Sequence, residues 1–424
     1  MLRQRLATQG ARVSICLMAL VVQKYGGTSV GDLERIHKVA QRIHHYLEKG
    51  NRMAVVVSAM GRTTDELIAL ARRVNKRPPQ RELDMLTTIG EQQSVALLSM
   101  QLHAMGIPAR GFTQHQIGIT TDGRYGDARI LRVEPVLIQQ ALDRGEVAVV
   151  AGFMGTTPEG ELTTLGRGGS DTTAVALAAA LGARECEIFT DTEGVYTTDP
   201  HTIPEAQKLS KIGYDQMLEM AALGARVLHP RAVYYGKRYG VRIHVRSSFS
   251  YNPGTIVAED GMELDRPVTG VALDEEIAQI GLIGIPDRPG IAAQVFEALA
   301  RKGVAVDMII QGVPGHEASR TQMAFTVNQD FAEEALEALE PVLAEIGGKA
   351  QLRRDVCKIS IVGVALASTP GIPARMFQAL SSVGANIEMI ATSEVRISAI
   401  IPSQYAEAAL RAVHSAFELD KPLS

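Results

Sequence analysis

The sequence contains no tryptophan and few other aromatic residues, since Phe, Trp and Tyr together make up only 4% of its 424 residues. Its three cysteines, Cys16, Cys186 and Cys357, lie far apart with no C-x-x-C pair, which argues against a disulfide framework and against a cysteine zinc site. We therefore expect a reducing, cytoplasmic location. No stretch of 18 consecutive apolar residues occurs, so the sequence predicts no membrane span.

An excess of charge of one sign is also missing. With 43 Lys and Arg against 47 Asp and Glu, the formal net charge is -4, so no overall basic field exists to hold nucleic acid or an anionic membrane. At about 150 residues per domain, the length predicts two or three domains. Because aromatic residues are scarce, the core must rest mainly on Ala, Val, Ile, Leu and Met, a composition that suits buried strands covered by helices.

The amino-terminal segment 1–17 contains arginines and leads into an apolar run, as a signal peptide does. No small-residue cleavage site follows, and the run continues through Val22 into Lys24-Tyr25-Gly26-Gly27. This pattern favours a first buried strand and its turn. We expect residues 1–17 to be an extension, with Met18 as an alternative native start.

A repeated alternation of strand and helix patterns follows. Apolar residues recur at helical spacing from Leu33 to Leu47, with Gly50 as a C-cap, and the apolar run 53–57 predicts a buried parallel strand. The alternation returns in a strand, a helix and two further strands, at 147–151, 172–181, 186–190 and 241–245. These βαβ units predict an α/β domain over residues 18–262, with a mainly parallel sheet sandwiched by helices.

Beyond Pro253-Gly254, two segments align with each other about 80 residues apart. Each has the same ordered set of glycine, Pro-Gly, aromatic and aliphatic positions: Gly284, Pro289, Gly290, Phe296, Leu299, Gly303, Val306 and Met308 in the first, and Gly363, Pro370, Gly371, Phe377, Leu380, Gly384, Ile387 and Met389 in the second. The order strand, turn, helix, strand, hairpin and helix is a ferredoxin-like pattern. We therefore predict a duplicated α+β module over 263–424. Its repeats are expected at about 277–350 and about 356–424, the second with a strand near 268–275.

Two glycine-rich turns between a predicted strand and a predicted helix offer phosphate-site chemistry. The turn 24–29 supplies a lysine and unobstructed backbone N–H groups, although a Gly-Gly turn by itself is usually only a turn. Neither a Walker A loop nor a G-x-G-x-x-G fingerprint is present. In the turn 163–173, Arg167 can clamp a carboxylate or phosphate, while Ser170 and Asp171 lie at the start of the next helix. The alternative is that Asp171 or Thr172 is only an N-cap.

Five motifs occur in an order that points to a known family. They are K-Y-G-G-T-S-V at 24–30, V-V-V-S-A-M-G at 55–61, T-T-L-G-R-G-G-S-D-T-T at 163–173, T-D-T-E-G-V-Y-T-T-D-P at 190–200 and G-A-R-V-L-H-P at 224–230. Together they closely resemble the motifs of aspartokinases, members of the amino-acid kinase family, and the resemblance runs from Lys24 to about Leu419. The duplicated module is similar to the tandem ACT domains that end monofunctional aspartokinases.

The resemblance implies a reaction and an acceptor site. It implies transfer of the γ-phosphoryl group of MgATP to the side-chain carboxylate of L-aspartate, giving 4-phospho-L-aspartate in the first step of lysine, threonine and methionine biosynthesis. Lys24 and Asp171 would be catalytic, with Lys24 neutralising charge on the transferring group. Glu91 would receive the substrate ammonium and Arg167 its α-carboxylate, although Glu91 taken alone would be a solvated helix charge. Further matching positions are Ser58, Thr64, Gly168, Gly169 and Ser170.

For ATP, the resemblance implies contacts at the first glycine turn and in the segment 190–200, which would cup adenine and ribose. The implied positions are Lys24, Tyr25, Gly26, Gly27, Ser58, Thr190, Asp191, Tyr196, Asp199 and Arg226. Tyr196 could otherwise lie in the core. Arg226 stands where many relatives have Lys, which keeps the charge but changes its shape. No protein metal site is evident from the sequence, and Mg²⁺ would be carried mainly by the ATP phosphates.

The ACT resemblance implies regulation. ACT domains are similar to small amino-acid sensors that pair side by side and bind effectors at the seam. This implies feedback inhibition by threonine, lysine or both, and a homo-oligomer formed through these domains. The positions that match threonine contacts are Asp287, Gln311, Asn386 and Ile387, of which Asp287 and Asn386 taken alone would be turn and strand-start residues. An internal start near Met262 would give a shorter subunit that contains only the ACT domains.

Three other functions stay open at this point. Another amino-acid kinase could act on a glutamate-type acceptor or a nucleoside monophosphate, although the ACT pair and the R-G-G-S-D cluster argue against it. An ACT-regulated dehydrogenase is opposed by the missing dinucleotide fingerprint. A catalytically silent amino-acid sensor is opposed by the presence of Lys24, Glu91, Arg167 and Asp171.

Overall fold

The computed structural model describes residues 19–224, 227–261, 266–312 and 320–422. The chain divides into two compact units, residues 1–187 and 188–424. Several predictions fall outside the described residues: the extension 1–17, the starts at Met18 and Met262, and the nucleotide contact Arg226.

The first unit mixes strands and helices along the chain, and its first strand, helix and second strand form a βαβ unit with the two strands parallel, as the sequence pattern predicts. Its strands are β1 Leu20–Tyr25, β2 Arg52–Val57, β3 Ala109–Phe112, β4 Ile119–Thr121, β5 Ile130–Val133, β6 Val147–Ala151, β7 Met154–Thr156, β8 Leu162–Thr164 and the first part of β9 Glu185–Thr190. Its α-helices are α1 Leu33–Glu48, α2 Thr63–Val74, α3 Gln80–Thr87, α4 Ile89–Ala104, α5 Val136–Asp143 and α6 Gly169–Ala180.

Strands β1, β2, β6 and β3 form a parallel sheet in that order. All residues of β6 and nearly all of β2 are buried, as expected for the strands of a parallel sheet covered by helices. Helices α1, α4, α5 and α6 pack against these strands. A second sheet in this unit has the order β5-β4-β7-β8, and its last strand leads directly into the glycine-rich turn 163–173.

The first strand is longer than the sequence pattern indicates. The pattern places Lys24 and Tyr25 in a turn, whereas both belong to β1. Tyr25 is buried among the core residues, so its side chain stabilises one more strand position. The turn therefore begins at Gly26.

The helix predicted at 172–181 also begins earlier, at Gly169. Gly168 adopts a left-handed conformation with φ 64°, and its carbonyl oxygen accepts the Asp171 N–H over 3.1 Å. Glycine tolerates this conformation without steric cost. Asp171 and Thr172 thus lie within α6, and the alternative that one of them is the N-cap is wrong, because Gly168 occupies that position.

In the second unit, short strands and helices precede two ferredoxin-like modules. Its strands are β10 Lys211–Gly213, β11 Arg242–Ser247, β12 Thr255–Ala258, β13 Val268–Asp274, β14 Ile277–Pro286, β15 Ile309–Gln311, β16 Arg320–Asn328, β17 Lys349–Arg353, β18 Val356–Gly363, β19 Met389–Thr392 and β20 Arg396–Pro402. Its α-helices are α7 Tyr214–Ala222, α8 Pro230–Tyr239, α9 Ile291–Arg301, α10 Ala332–Ile346, α11 Ile372–Ser382 and α12 Ala406–Ala416. Across the described parts of both units, no helix combines the length and apolar character needed to cross a membrane.

The two modules have antiparallel sheets with equivalent strand orders, β15-β16-β14-β17 and β19-β20-β18-β13. Equivalent glycines share a left-handed conformation: φ is 95° at Gly290 and 89° at Gly371 before the first helix of each module, and 74° at Gly303 and 77° at Gly384 after it. The predicted ferredoxin-like duplication is confirmed. The two modules differ in the chain position of one strand: β13 precedes the first module in the chain but completes the sheet of the second.

Candidate active site

Three loops meet at the carboxyl edge of the parallel sheet. They follow β1, β2 and β6, whose last residues Tyr25, Val57 and Ala151 lie in register. The Ser58 N–H donates a hydrogen bond to the Tyr25 carbonyl oxygen over 3.1 Å. The Gly152 N–H donates to the Val57 carbonyl oxygen over 3.0 Å. Ligands of open α/β sheets bind in crevices at this edge, so it is the candidate active site.

The first glycine turn packs tightly on the loop after β2. A Cβ atom on Gly27 would lie 2.9 Å from the Ala59 carbonyl oxygen, closer than a side chain permits. The Gly61 N–H donates to the Gly27 carbonyl oxygen over 3.0 Å. Gly26 precedes a short 3-10 helix, Gly27–Val30. Glycine at 27 is therefore required by close backbone approach, and the two loops lie directly against each other.

Lys24, near the end of β1, forms an ion pair with Asp171 in the first turn of α6. Lys24 Nζ lies 2.7 Å from Asp171 Oδ1, and the two side chains are 12% and 10% exposed. The position of Asp171 is favourable for a carboxylate, because the helix dipole is positive at this end. The two predicted catalytic residues are thus brought together, and each keeps a small part of its side chain exposed to solvent.

The start of α6 is pressed against the loop after β6. A Cβ atom on Gly152 would lie 2.5 Å from Ser170 Oγ, so a larger residue would displace the helix start. The next residue, Phe153, has φ 72°, which is strained for a bulky side chain. Its N–H donates to Thr173 Oγ1 over 3.1 Å and its carbonyl oxygen accepts from the Leu165 N–H over 2.8 Å. Sequence analysis missed both loop residues, although the predicted parallel strand just before them was an available signal.

Glu91 lies in the first turn of α4 and is only 3% exposed. Its Oε1 accepts the Ala59 N–H over 3.1 Å, whereas its Oε2 has no hydrogen-bond partner among the described residues. Burial raises the pKa of Glu91 to about 7. An unsatisfied buried acceptor costs about 1–3 kcal/mol, so a ligand group that donates to Oε2 would remove this cost. The alternative that Glu91 is a solvated helix charge is wrong.

In the turn between β8 and α6, Arg167 and Gly168 are exposed. Gly169 and Ser170, the first residues of α6, are buried. Within the described parts of the chain, Arg167 has no ion-pair partner. A free guanidinium can bind a carboxylate through two parallel hydrogen bonds. The base of this turn is anchored by Asp84, a buried acid in α3 that sequence analysis did not single out.

The remaining predicted site residues of the first unit differ in how far their side chains are exposed to a ligand. Ser58 is half-buried at the start of its loop, and Thr64 is half-buried in the first turn of α2. The Tyr25 side chain lies in the core, where its hydroxyl donates to Gln23 Oε1 over 3.0 Å. Gln23 in turn donates to a carboxylate oxygen of Glu187 over 2.7 Å. Only the backbone of Tyr25 remains available to a ligand at the sheet edge.

In the second unit, the residues predicted to contact the nucleotide surround a turn after β9. The Thr190 hydroxyl donates to the exposed carboxylate of Asp191 over 3.1 Å. The Asp199 carboxylate accepts a backbone N–H in its own turn over 2.9 Å. Tyr196 is half-buried rather than part of the core, and burial raises its pKa. These four residues remain predicted nucleotide contacts.

The predicted effector positions lie at strand ends of the two modules. Asp287 follows β14 and Gln311 ends β15, and both are exposed. Asn386 is exposed and Ile387 half-buried before β19. A cavity of about 310 Å³ opens over the sheet of the first module, and its polar lining consists of Gln279, Gln322, Gln351, Arg353 and Glu388. None of the four predicted positions lines this cavity.

Comparison with known proteins decides the family. The model of the amino acid kinase family matches residues 19–247, and an ACT domain model matches residues 280–343 and 359–417. The aspartokinase of Thermus thermophilus is 82% identical over 404 residues, covering 95% of this chain and 100% of that protein. The chain belongs to the aspartokinase family.

Solved structures of another aspartokinase share this fold. E. coli aspartokinase III in complex with aspartate and ADP matches with a TM-score of 0.82 at 25% identity, covering 94% of this chain and 99% of that one. Its complex with lysine and aspartate matches with a TM-score of 0.71 at 26% identity and the same coverage of 94% and 99%. The predicted fold of this aspartokinase, an amino acid kinase domain followed by ACT domains, is confirmed.

Proposed function

We propose that the cleft at the carboxyl edge of the parallel sheet transfers the γ-phosphoryl group of ATP to the side-chain carboxylate of L-aspartate. The observation that carries the proposal is the buried Oε2 of Glu91, which no described residue satisfies. An ammonium group would complete it, and Arg167 offers the cation that an α-carboxylate requires. The binding of aspartate and ADP, the nucleotide product, by E. coli aspartokinase III supports this pairing of acceptor and nucleotide.

The chemistry requires no general base. The acceptor carboxylate is already ionised near neutral pH, so catalysis rests on positioning and on neutralisation of charge. Lys24 meets the transferring phosphoryl group, and the ion pair with Asp171 at 2.7 Å aims its ammonium before the substrates bind. Asp171 is a single carboxylate beside Lys24, which fits a Mg²⁺ ion held mainly by the ATP phosphates; when bound, that ion would supply further charge neutralisation.

The other predicted contacts complete the proposal. Thr64 and the turn that contains Gly168 and Gly169 would line the acceptor site. The proposed nucleotide and phosphoryl contacts are the backbone at Tyr25, Gly26 and Gly27, the side chains of Ser58 and Ser170, and the second-unit residues Thr190, Asp191, Tyr196 and Asp199. The kinase domain is proposed to span 18–262 and the regulatory region 263–424.

A coupled ADP-release assay tests the reaction. We expect turnover with L-aspartate and none with L-glutamate or without an acceptor. Turnover with L-glutamate would identify a different amino-acid kinase. ADP release that does not depend on aspartate, or no release at all, would contradict the proposal, and the second result combined with amino-acid binding would identify a silent sensor.

We further propose that threonine, lysine or both inhibit the enzyme through the ACT domains. The complex of E. coli aspartokinase III with lysine supports an amino-acid effector. Asp287→Ala or Asn386→Ala should weaken inhibition without changing uninhibited activity, as measured by ADP release over a threonine titration. Glu297→Ala, on the exposed side of α9, is the matched control. Inhibition that stays the same in both variants would remove these two positions from the effector site.

Subunit composition is a separate proposal. We propose a homo-oligomer formed through the ACT domains, together with a shorter ACT-only subunit from an internal start near Met262. Light scattering measures the first, and immunoblotting for a short carboxy-terminal product measures the second. A monomer at assay concentration, or a single full-length band, would contradict the respective statement.

A further inference from the structure

The carboxylate of Asp84 is buried and saturated with hydrogen bonds, although no step of the proposed reaction uses it. Asp84 lies in α3 and is 1% exposed. Its Oδ2 accepts the backbone N–H groups of Gly126 (2.8 Å) and Thr164 (2.9 Å). Its Oδ1 accepts the Thr164 hydroxyl (3.0 Å) and the Gln80 side-chain amide (3.1 Å). Charge-assisted bonds of this kind are stronger than neutral ones, so the three segments that supply the donors are held firmly.

These bonds connect the two halves of the proposed acceptor site. Thr164 ends β8 and is followed by the turn that presents Arg167. Asp84 lies in α3, and only Thr88 separates α3 from α4, whose first turn contains Glu91. A hydrogen-bonded connection from the Arg167 turn to the helix pair that contains Glu91 therefore passes through Asp84.

Close glycine contacts show that the intervening loop has little room to move. A Cβ atom on Gly126, whose φ is 83°, would lie 2.5 Å from Gln80 Nε2. A Cβ atom on Gly166, whose φ is 75°, would lie 2.8 Å from Asp127 Oδ1. The loop around 126 thus contacts α3 on one side and the Arg167 turn on the other. A shift of the turn would require this packing and the bonds to Asp84 to change together.

We infer that Asp84 is a positioning residue, which sets the separation between the ammonium site at Glu91 and the carboxylate site at Arg167. The inference rests on the proposed function, because it takes these two residues as the groups that hold L-aspartate. An oriented reaction is sensitive to displacements of about 1 Å. Asp84 therefore acts on acceptor affinity and selectivity through Arg167 and Glu91, without touching the substrate.

Two variants separate this role from simple stabilisation. Asp84→Ala removes the carboxylate and with it all four hydrogen bonds that Gly126, Thr164 and Gln80 donate to it. Asp84→Asn can keep the four hydrogen bonds. Its amide oxygen accepts both backbone N–H groups. Its amide N–H groups donate to the Thr164 hydroxyl and to the side-chain carbonyl oxygen of Gln80, once the hydroxyl and the Gln80 amide rotate. Glu82→Ala is the control on the same helix, because its carboxylate pairs with Arg81 at the surface.

For Asp84→Ala we expect the KM for L-aspartate to rise about tenfold or more, with the KM for ATP unchanged. Asp84→Asn and Glu82→Ala should remain near the wild type. Selectivity should fall as well in Asp84→Ala. The measure is kcat/KM for L-aspartate relative to succinate, which lacks the ammonium, and to β-alanine, which lacks the α-carboxylate.

A merely structural role would lower the active fraction, and hence the apparent kcat for every acceptor, while leaving KM and selectivity unchanged; that result would overturn the inference. Failure of the proposed function is distinguishable, because the wild type itself would then not turn over with L-aspartate. If Asp84→Ala does not fold, Thr164→Val removes one bond to the same carboxylate. It should raise the KM for L-aspartate about threefold, and an unchanged KM in that variant would also overturn the inference.

Discussion

Glu91 in the catalytic site and Lys358 in the regulatory region are both buried charges, but their partners differ. In the catalytic site, the buried Glu91 keeps one oxygen that no described residue satisfies, and the exposed Arg167 has no ion-pair partner within the described residues. In the regulatory region, Lys358 is 3% exposed, and its Nζ lies 2.7 Å from Asp307 and 3.2 Å from Asp274. Incomplete charges mark a place where a ligand supplies the missing partner. Where buried charges are paired internally, as at Lys358, removal of one partner leaves the others uncompensated.

The paired cluster also joins separate elements of the regulatory region. Lys358 on β18 lies opposite Asp274 on β13, while Asp307 comes just before β15 of the other module. Arg396 on β20 extends the cluster, with Nη1 3.7 Å from Asp307 and 3.4 Å from Glu219 of α7. A network of this kind is worth more than separate pairs. It therefore couples the two modules to each other and to α7.

The largest expected effect concerns the cleft. Lys24→Met keeps the stem of the side chain but removes the ammonium beside Asp171, so charge on the transferring phosphoryl group is no longer neutralised. We expect kcat to fall by about 10³ or more, or about 4 kcal/mol, in the ADP-release assay. The variant also leaves the Asp171 carboxylate, which is 10% exposed, without its cation, and this lowers stability, so kcat is calculated for the folded fraction of the protein.

Lys38→Met is the matched control for this variant. Lys38 is an exposed lysine on α1 that pairs with Glu34 one turn away, and its replacement should leave kcat unchanged. A Lys24→Met enzyme with nearly normal kcat would show that Lys24 does not act on the reacting group.

The next effect concerns the buried ion pairs of Lys358 in the regulatory region. Lys358→Met leaves the carboxylates of Asp274 and Asp307 without their shared cation, and we expect a loss of about 3 kcal/mol in the free energy of unfolding of the regulatory region. Urea denaturation measures it. Adding Asp274→Asn and Asp307→Asn should restore much of the loss. A single variant as stable as the wild type would show that the cluster contributes nothing.

Sequence periodicity was sufficient for most of the fold. Residues 33–47 formed the predicted helix almost to its ends, and Gly290 and Gly371 were recognised as equivalent before their shared left-handed conformation was known. These features depend on neighbours along the chain. The start of α6 was missed because the conformation of Gly168 depends on the turn around it.

The candidate site was predictable only in part, because burial of a charge depends on partners far away in sequence. Asp84 bonds to Thr164, 80 positions later, and Lys358 to Asp307, 51 positions earlier. A local pattern shows each as an ordinary polar residue. Glu91 was found only through the family resemblance, since its helix position alone indicates a solvated charge.

The third effect concerns Glu91 and the cost of its incomplete pairing. Burial raises its pKa from the ordinary value of 4.5 to about 7, so the protonated form is favoured in the folded protein. Uptake of this proton therefore adds to the free energy of unfolding; the contribution is fully present below about pH 4.5 and is lost as the pH rises through 7. Glu91→Gln does not ionise and should therefore gain stability relative to the wild type between pH 5 and 8, by about 2 kcal/mol, as measured by urea denaturation.

The same variant should bind L-aspartate more weakly, since the ammonium loses its anionic partner. In the wild type, the KM for L-aspartate should rise as the pH falls below about 7. Glu66→Gln, an exposed residue of α2, is the control and should show neither change. A stability difference between Glu91→Gln and the wild type that does not vary with pH would rule out ionisation of Glu91 as its cause.

The smallest effect tests whether burial, and not distance, separates the two kinds of charge. Arg301 lies 2.7 Å from Glu297 on α9, the same distance as Lys358 from Asp307, but its pair is 75% and 65% exposed. Water screens such a pair, so Arg301→Ala should cost less than about 0.5 kcal/mol in unfolding free energy, and the cost should vanish in about 1 M salt. A loss equal to that of Lys358→Met would show that ion-pair distance alone determines stability, and the contrast between the cleft and the regulatory region would then lose its physical basis.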